Sequence, residues 1–143
     1  MGMVDVSEKE ASRREALAQG RVRLKPEIIT LIRKSKIPKG DVLEMARFAG
    51  ILAAKKTPEI IPLCHPLLVD FIDIEFLLKE GEIIILSRVR GIAKTGFEME
   101  ALSATCVAAL TIYDMCKPLD KGIVISEIKL IKKSGGKSGV WQR

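Results

Sequence analysis

The chain has 143 residues, 48% hydrophobic and 29% charged, the material of one ordinary globular domain over 1–143 with no room for a second and no resemblance to a disordered chain. Its net charge of +6 is local: residues 117–143 hold seven basic side chains against two acidic ones, and the other 116 residues hold 17 against 16. A uniformly basic coat for a long polyanion is therefore not the first reading, and a small anionic ligand held by a short basic segment fits better. Three cysteines, an odd and unpaired set, do not make a disulfide framework. The early charges Asp5, Glu8, Lys9 and Glu10 rule out a signal-like run there, and no fully apolar stretch approaches the ~18–20 residues that span a bilayer. A cytoplasmic location and no membrane partner are expected.

In chain order, the alternation at Arg21–Leu24 predicts a strand near 15–24. Pro26, at a first helical position, opens a short helix over 26–34. Pro38-Lys39-Gly40 is a turn, and Asp41 with Glu44 three residues on predicts a capped helix to Lys55. Thr57-Pro58 starts a one-turn helix ending at Pro62. Ile72, Ile74, Phe76 and Leu78 alternate with polar residues over 69–79, Glu80-Gly81 turns, and 83–89 returns, a hairpin. Thr95 and Glu98 form a second capping-box pattern ahead of a long helix over 96–116, apolar almost all round from Ala101 to Tyr113. Such a helix is buried on more than one side, which in so short a chain implies a partner subunit as well as the sheet. A last strand over 123–132 leads into a flexible, basic, glycine-rich ending, 133–139. The class is α+β around an antiparallel hairpin.

The only histidine, His65, sits between Pro62 and Pro66. A near-neutral group on a rigid segment suits acid/base work, and a structural histidine fits the residues equally well. A zinc site at Cys64 and His65 is disfavoured, because Cys106 and Cys116 supply no ligand spacing; no metal and no cofactor are expected. Glu98 and Glu100 open the long helix, where acids also serve simply as cap and dipole partners. Asp114 and Lys117 share a face at its end, and an acid there opposes the dipole. Asp114 follows the apolar wall directly, so partial desolvation and a proton-transfer role are expected, with an ordinary ion pair as the alternative. Gly136-Lys137-Ser138 looks like part of a phosphate-binding loop, but Ile131 occupies the motif's first glycine position and no helix can follow. What remains is glycine-rich backbone with Lys132, Lys133 and Lys137, able either to wrap phosphate oxygens or to be a solvated tail. Lys39, Arg13 and Arg14 are further anion candidates.

Taken together, Met3-Val4-Asp5-Val6-Ser7, Lys39-Gly40-Asp41-Val42, Ile61–Leu67, Lys94–Leu102, Ala108–Lys117 and Lys133–Gly139 resemble the cyclic pyranopterin monophosphate synthases, the C proteins of molybdenum cofactor biosynthesis. The resemblance runs from Met3 onward, and several blocks in order make it specific. Phe97 is the one departure, at a position expected to serve packing. The resemblance implies a ferredoxin-like α+β fold with helices on one face of an antiparallel sheet. It implies conversion of 3′,8-cyclo-7,8-dihydro-GTP, a cyclised GTP triphosphate, to cyclic pyranopterin monophosphate with release of pyrophosphate. It further implies a homohexamer, a trimer of dimers, with each site lined by two subunits. Carried over by residue, Asp114 is the expected acid/base with Lys117, Lys39 and His65 in catalysis. Leu63, Cys64, His65, Met99 and Glu100 border the substrate, and Glu98, Lys133, Arg14 and Lys137 complete the binding site. Lysines and arginines neutralise phosphate charge, while Asp, Glu, His and Lys with tuned pKa values move protons.

Two rivals make different predictions. An RNA-binding module would need stacking aromatics, but the six aromatics form no such strand and Asp73 and Glu75 would repel phosphate; no nucleic-acid partner is expected. A non-catalytic scaffold would leave Asp114 dispensable.

Overall fold

The computed structural model describes all 143 residues. In order they form β1 (Ser12–Arg23), α1 (Pro26–Arg33), α2 (Val42–Lys55), α3 (Thr57–Ile60), β2 (Phe71–Lys79), β3 (Glu82–Ala93), α4 (Glu98–Cys116), β4 (Val124–Ser134) and β5 (Trp141–Gln142). The strands make one antiparallel sheet ordered β2-β3-β1-β4-β5. The helices lie on one face of it, so the fold is the expected ferredoxin-like α+β arrangement.

The hairpin follows from its alternation. Ile74, Ile83, Ile85 and Val89 are buried on the helix side, and Gly81 takes the left-handed turn between β2 and β3 at φ +80°. On the central strand β1 the helix-side residues are small: Ala16, Ala18, Gly20, then Val22. A Cβ on Gly20 would lie 2.6 Å from Ile128 Cδ1 and 2.7 Å from Thr105 Cγ2. Small residues here let α4 approach the sheet closely, and Ala101, Ala104, Ala108 and Ala109 meet it from the other side, fully buried. Asp41 caps α2 by accepting from the Glu44 amide at 3.1 Å, while the Glu44 side chain pairs with Arg47 instead of completing a box.

Three local expectations are corrected. The Thr95–Glu98 box does not form: Phe97 is the N-cap, with no side-chain cap bond, because the Glu98 carboxylate is engaged by Lys133. β3 runs on to Ala93 because β1 pairs it along its full length, Ser12 opposite Ala93. The glycine-rich ending is a turn rather than a free tail: Gly135, Gly136 and Gly139 adopt positive φ, and Trp141 and Gln142 return to pair with Lys133 and Lys132. Phe97 is fully buried, and a Cβ on Gly91 would fall within 2.5 Å of its ring, so packing is what that residue does.

By length and composition α4 could cross a membrane, but half of it is buried inside this fold. Its outer side and that of α2 stay uncovered. Met45, Phe48 and Leu52, on one helical stripe, are exposed, Phe48 at 62%, as is Leu110 at 57%.

Candidate active site

Helix α4 carries candidate residues at both ends. At its C-terminal end, Asp114 is gripped by two ammonium groups. Lys117 Nζ lies 2.9 Å from Oδ1 one helical turn on. Lys39 Nζ, from the turn after α1, lies 3.2 Å from Oδ2 and donates to the Asp114 carbonyl at 2.9 Å. The expected desolvation of Asp114 is overturned, since its side chain is 58% exposed. The hydrogen bond from Lys117, then that from Lys39, holds its carboxyl below the ordinary range. The bond to Asp114 raises Lys117 in return. This end offers a carboxylate kept ionised between two cations, a proton acceptor whose neighbours can neutralise an anionic substrate.

At the N-terminal end, Cys64, His65, Leu67, Thr95, Gly96, Glu98, Met99 and Glu100 line a pocket of about 260 Å³. The paired prolines of the Pro62–Pro66 segment fix its backbone and bring Cys64 and His65 against the first turn of α4. Leu63 is exposed beside it. Glu100 is 2% exposed, and its Oε2 has no hydrogen-bond partner. Burial pushes its carboxyl upward, its own backbone N–H opposes this, and the charge of Glu98 adds to the rise. Cys64 Sγ lies 3.9 Å from Glu100 Oε1, and burial followed by that carboxylate raises the thiol. Lys133 Nζ donates to Glu98 Oε1 at 2.8 Å.

The position of Lys133 depends on a bulge. β1 and β4 pair Ala18 with Leu130 but Leu17 with Lys132, so Ile131 is an extra residue. That shift places Lys133 opposite the buried Ala16, on the helix side. In an unbroken register Lys132 would hold that place and Lys133 would face away.

A second cleft adjoins this end. Glu8, Lys9, Glu10, Ser12, Arg14, Gly136, Lys137 and Ser138 line about 840 Å³. Arg14 Nε donates to the Ala93 carbonyl at 3.0 Å and Nη2 to that of Lys94 at 3.3 Å. Its guanidinium lies against Gly136, where a Cβ would be 2.8 Å from Cζ. Arg14, Lys137, Lys133, Glu98, Glu100, Met99, Cys64 and His65 thus gather around one end of α4, with Leu63 beside them. Lys39, Asp114 and Lys117 do not join them. Glu98 and Asp114 are sixteen positions apart on the helix, about 24 Å along the axis.

Two contacts at the pocket have no sequence signal, because both use backbone atoms. His65 Nε2 lies 2.8 Å from the Val4 carbonyl oxygen, and Lys94 Nζ donates to that of Ser7 at 3.3 Å.

All the residues that make these clusters except Lys137 and Ser138 fall inside a family-model match covering 3–136, described as MoaC family. The chain is 55% identical over 143 residues to a cyclic pyranopterin monophosphate synthase of Pelotomaculum thermopropionicum, covering 99% of this chain and 84% of that protein. It is 54% identical over 143 residues to the protein of that name from Heliobacterium modesticaldum, covering 99% of this chain and 90% of that one. The protein of the same name from Aquifex aeolicus is 50% identical over 143 residues, covering all of this chain, which spans only 56% of its length. The chain belongs to the MoaC family.

Proposed function

We propose that the protein, one domain over 1–143, converts 3′,8-cyclo-7,8-dihydro-GTP to cyclic pyranopterin monophosphate and pyrophosphate, and does so in the cytoplasm. The family supports the reaction, and the two clusters supply the chemistry it needs. The purine ring must open and the pterin close through several proton transfers, and a cyclic phosphate closes as pyrophosphate departs. In this reading Asp114, with Lys117 and Lys39, and His65 exchange protons. Leu63, Cys64, Met99, Glu98 and Glu100 border the ring system. Lys133, Arg14 and Lys137 neutralise the triphosphate, whose charge grows on the leaving oxygens.

One observation carries the arrangement: the two half-sites stand about 24 Å apart on one helix, too far for one nucleotide-sized substrate to bridge them in a single chain. A complete site therefore joins the Asp114 end of one subunit to the Glu98 end of another, within a homohexamer built as a trimer of dimers. The uncovered stripe of Met45, Phe48 and Leu52 with Leu110 is apolar area that a second copy would bury.

The cyclised GTP intermediate is supplied to the purified protein, and pyrophosphate and, after oxidation, a fluorescent pterin are measured. Turnover is expected; absence of product where a relative succeeds overturns the reading. Mixing two inactive variants, Asp114→Asn and His65→Ala, tests the shared site. Activity is expected to return on subunit exchange, and a mixture as dead as its parts refutes sharing.

A further inference from the structure

The segment before β1 packs almost none of its side chains. Val4 is 74% exposed and Met3 48%. Polar contacts hold it instead. Asp5 Oδ1 accepts from the Ser7 amide at 2.9 Å and from the Ser7 hydroxyl, and the Lys9 amide closes a turn on the Val6 carbonyl at 3.1 Å. Two contacts tie this folded segment to the body: Lys94 Nζ to the Ser7 carbonyl, and His65 Nε2 to the Val4 carbonyl at 2.8 Å. A segment that leaves its apolar side chains in water and directs its backbone at an imidazole is not serving the core.

We propose that residues 3–9 are a positioning strap for His65, whose Val4 carbonyl locks the ring in the Nε2–H tautomer and leaves Nδ1 as its proton-accepting nitrogen. A carbonyl oxygen has no proton to give, so at 2.8 Å the ring nitrogen must be the donor. In a neutral imidazole one nitrogen carries hydrogen and the other a lone pair, so the bond at one atom decides the chemistry of the other. No hydrogen bond to Nδ1 is present in the structure, and His65 lines the pocket with Glu98 and Glu100. The strap also fixes the plane of the ring, and acid/base transfer is sensitive to misplacement. The run Met3-Val4-Asp5-Val6-Ser7, which carries no reactive group at Val4, thereby gains a role through its backbone.

The inference rests on His65 being part of the reacting site, and two readouts keep the questions apart. His65 is the chain's single histidine, so ¹⁵N-histidine labelling gives one imidazole, whose nitrogen shifts report the tautomer without any turnover. At a pH where the ring is neutral, the intact protein is expected to show Nε2 protonated and Nδ1 bare. Deleting residues 1–6, or substituting Asp5→Ala to open the turn without shortening the chain, is expected to bring the two shifts together as tautomers mix. The same variants are expected to lose about tenfold to hundredfold in kcat, with KM nearly unchanged. An Nδ1–H tautomer in the intact protein overturns the proposal. So does unchanged kcat once the shifts have converged, or unchanged shifts in Asp5→Ala together with the deletion. Should the deletion not fold, the intact spectrum and Asp5→Ala decide. Full turnover in His65→Ala instead refutes the role of His65 and leaves the tautomer result standing.

Discussion

Lys133 reaches Glu98, at 2.8 Å, only because β4 carries Ile131 as an extra residue against β1. The pair is partly solvated, with side-chain exposures of 41% and 26%, so it contributes less than about 1 kcal/mol to stability. Its value lies in holding an ammonium at the pocket mouth. Lys133→Ala is expected to raise KM about tenfold, the loss of one charged hydrogen bond, while shifting the urea midpoint little. The neighbouring Lys132→Ala, whose side chain the bulge turns to the opposite face of the sheet, is expected to leave KM unchanged. Steady-state kinetics of the two variants side by side check this, and equal effects would mean that the bulge does not select the lysine.

Asp114 accepts from Lys39 and Lys117 in a solvated setting, so losing it leaves no buried charge stranded. Asp114→Asn and Lys117→Ala are expected to lower kcat about 10²- to 10⁴-fold, the range of general acid–base contributions, with the assembly intact by sedimentation. The depressed carboxyl and raised ammonium have a matching pH consequence. The contribution of the carboxylate is present above its unfolded pKa and lost as pH falls through the lower folded one. That of Lys117 is present below its unfolded pKa and lost as pH rises through the higher folded one. The pair is therefore fully ionised across neutral pH, and a fall in kcat on acidification that disappears in Asp114→Asn would trace that limb to this residue.

Much of this could be read along the chain, and what could not shares one cause. The hairpin, the Asp41 cap and the Pro26 helix start follow from neighbours in sequence. Glu98 did not follow: Thr95 three residues before it spells a capping box, but Lys133, 35 residues away in sequence, takes the carboxylate. The bulge that brings Lys133 there is a register property of two strands, invisible in either alone. The contact of Val4 to His65 spans 61 positions and uses a carbonyl that every residue type possesses. Asp114 follows an apolar run in sequence, yet its carboxyl is 58% exposed and turns to Lys117 and to Lys39, 75 positions away. Residue types announced the chemistry, and non-local pairing decided which atoms meet.

Glu100 should make the protein less stable as pH rises. Its folded-state carboxyl lies above the ordinary value of 4.5, mainly through burial, so the folded chain keeps a proton that the unfolded chain has already released. Stability falls with rising pH between the two values and levels off above the folded one. Glu100→Gln removes that titration. Its stability relative to the parent is expected to grow from about pH 4.5 upward, read as the difference in urea midpoints across a pH series. A difference that stays constant with pH would mean that Glu100 titrates like a solvated acid.

Gly136 allows the C-terminal turn to close over Arg14. Its φ of +72° costs an L-residue roughly 1–2 kcal/mol. A Cβ there would also lie 2.7 Å from Arg14 Nη2 and 2.8 Å from Cζ, so the guanidinium or the loop must move. The turn lies outside the buried core, and its displacement removes little apolar packing. Gly136→Ala is therefore expected to leave the melting temperature within a few degrees of the parent, the shift that about 1 kcal/mol produces in a domain of this size. The same change is expected to raise KM several-fold, because Arg14 and Lys137 line one cleft and lose their mutual placement. Gly139→Ala is the matched control: its φ is also positive, at +66°, but nothing lies within 4 Å of the added methyl. If both substitutions raise KM alike, backbone strain in the turn is responsible. If only Gly136→Ala does, the contact with Arg14 sets the geometry of the anion site.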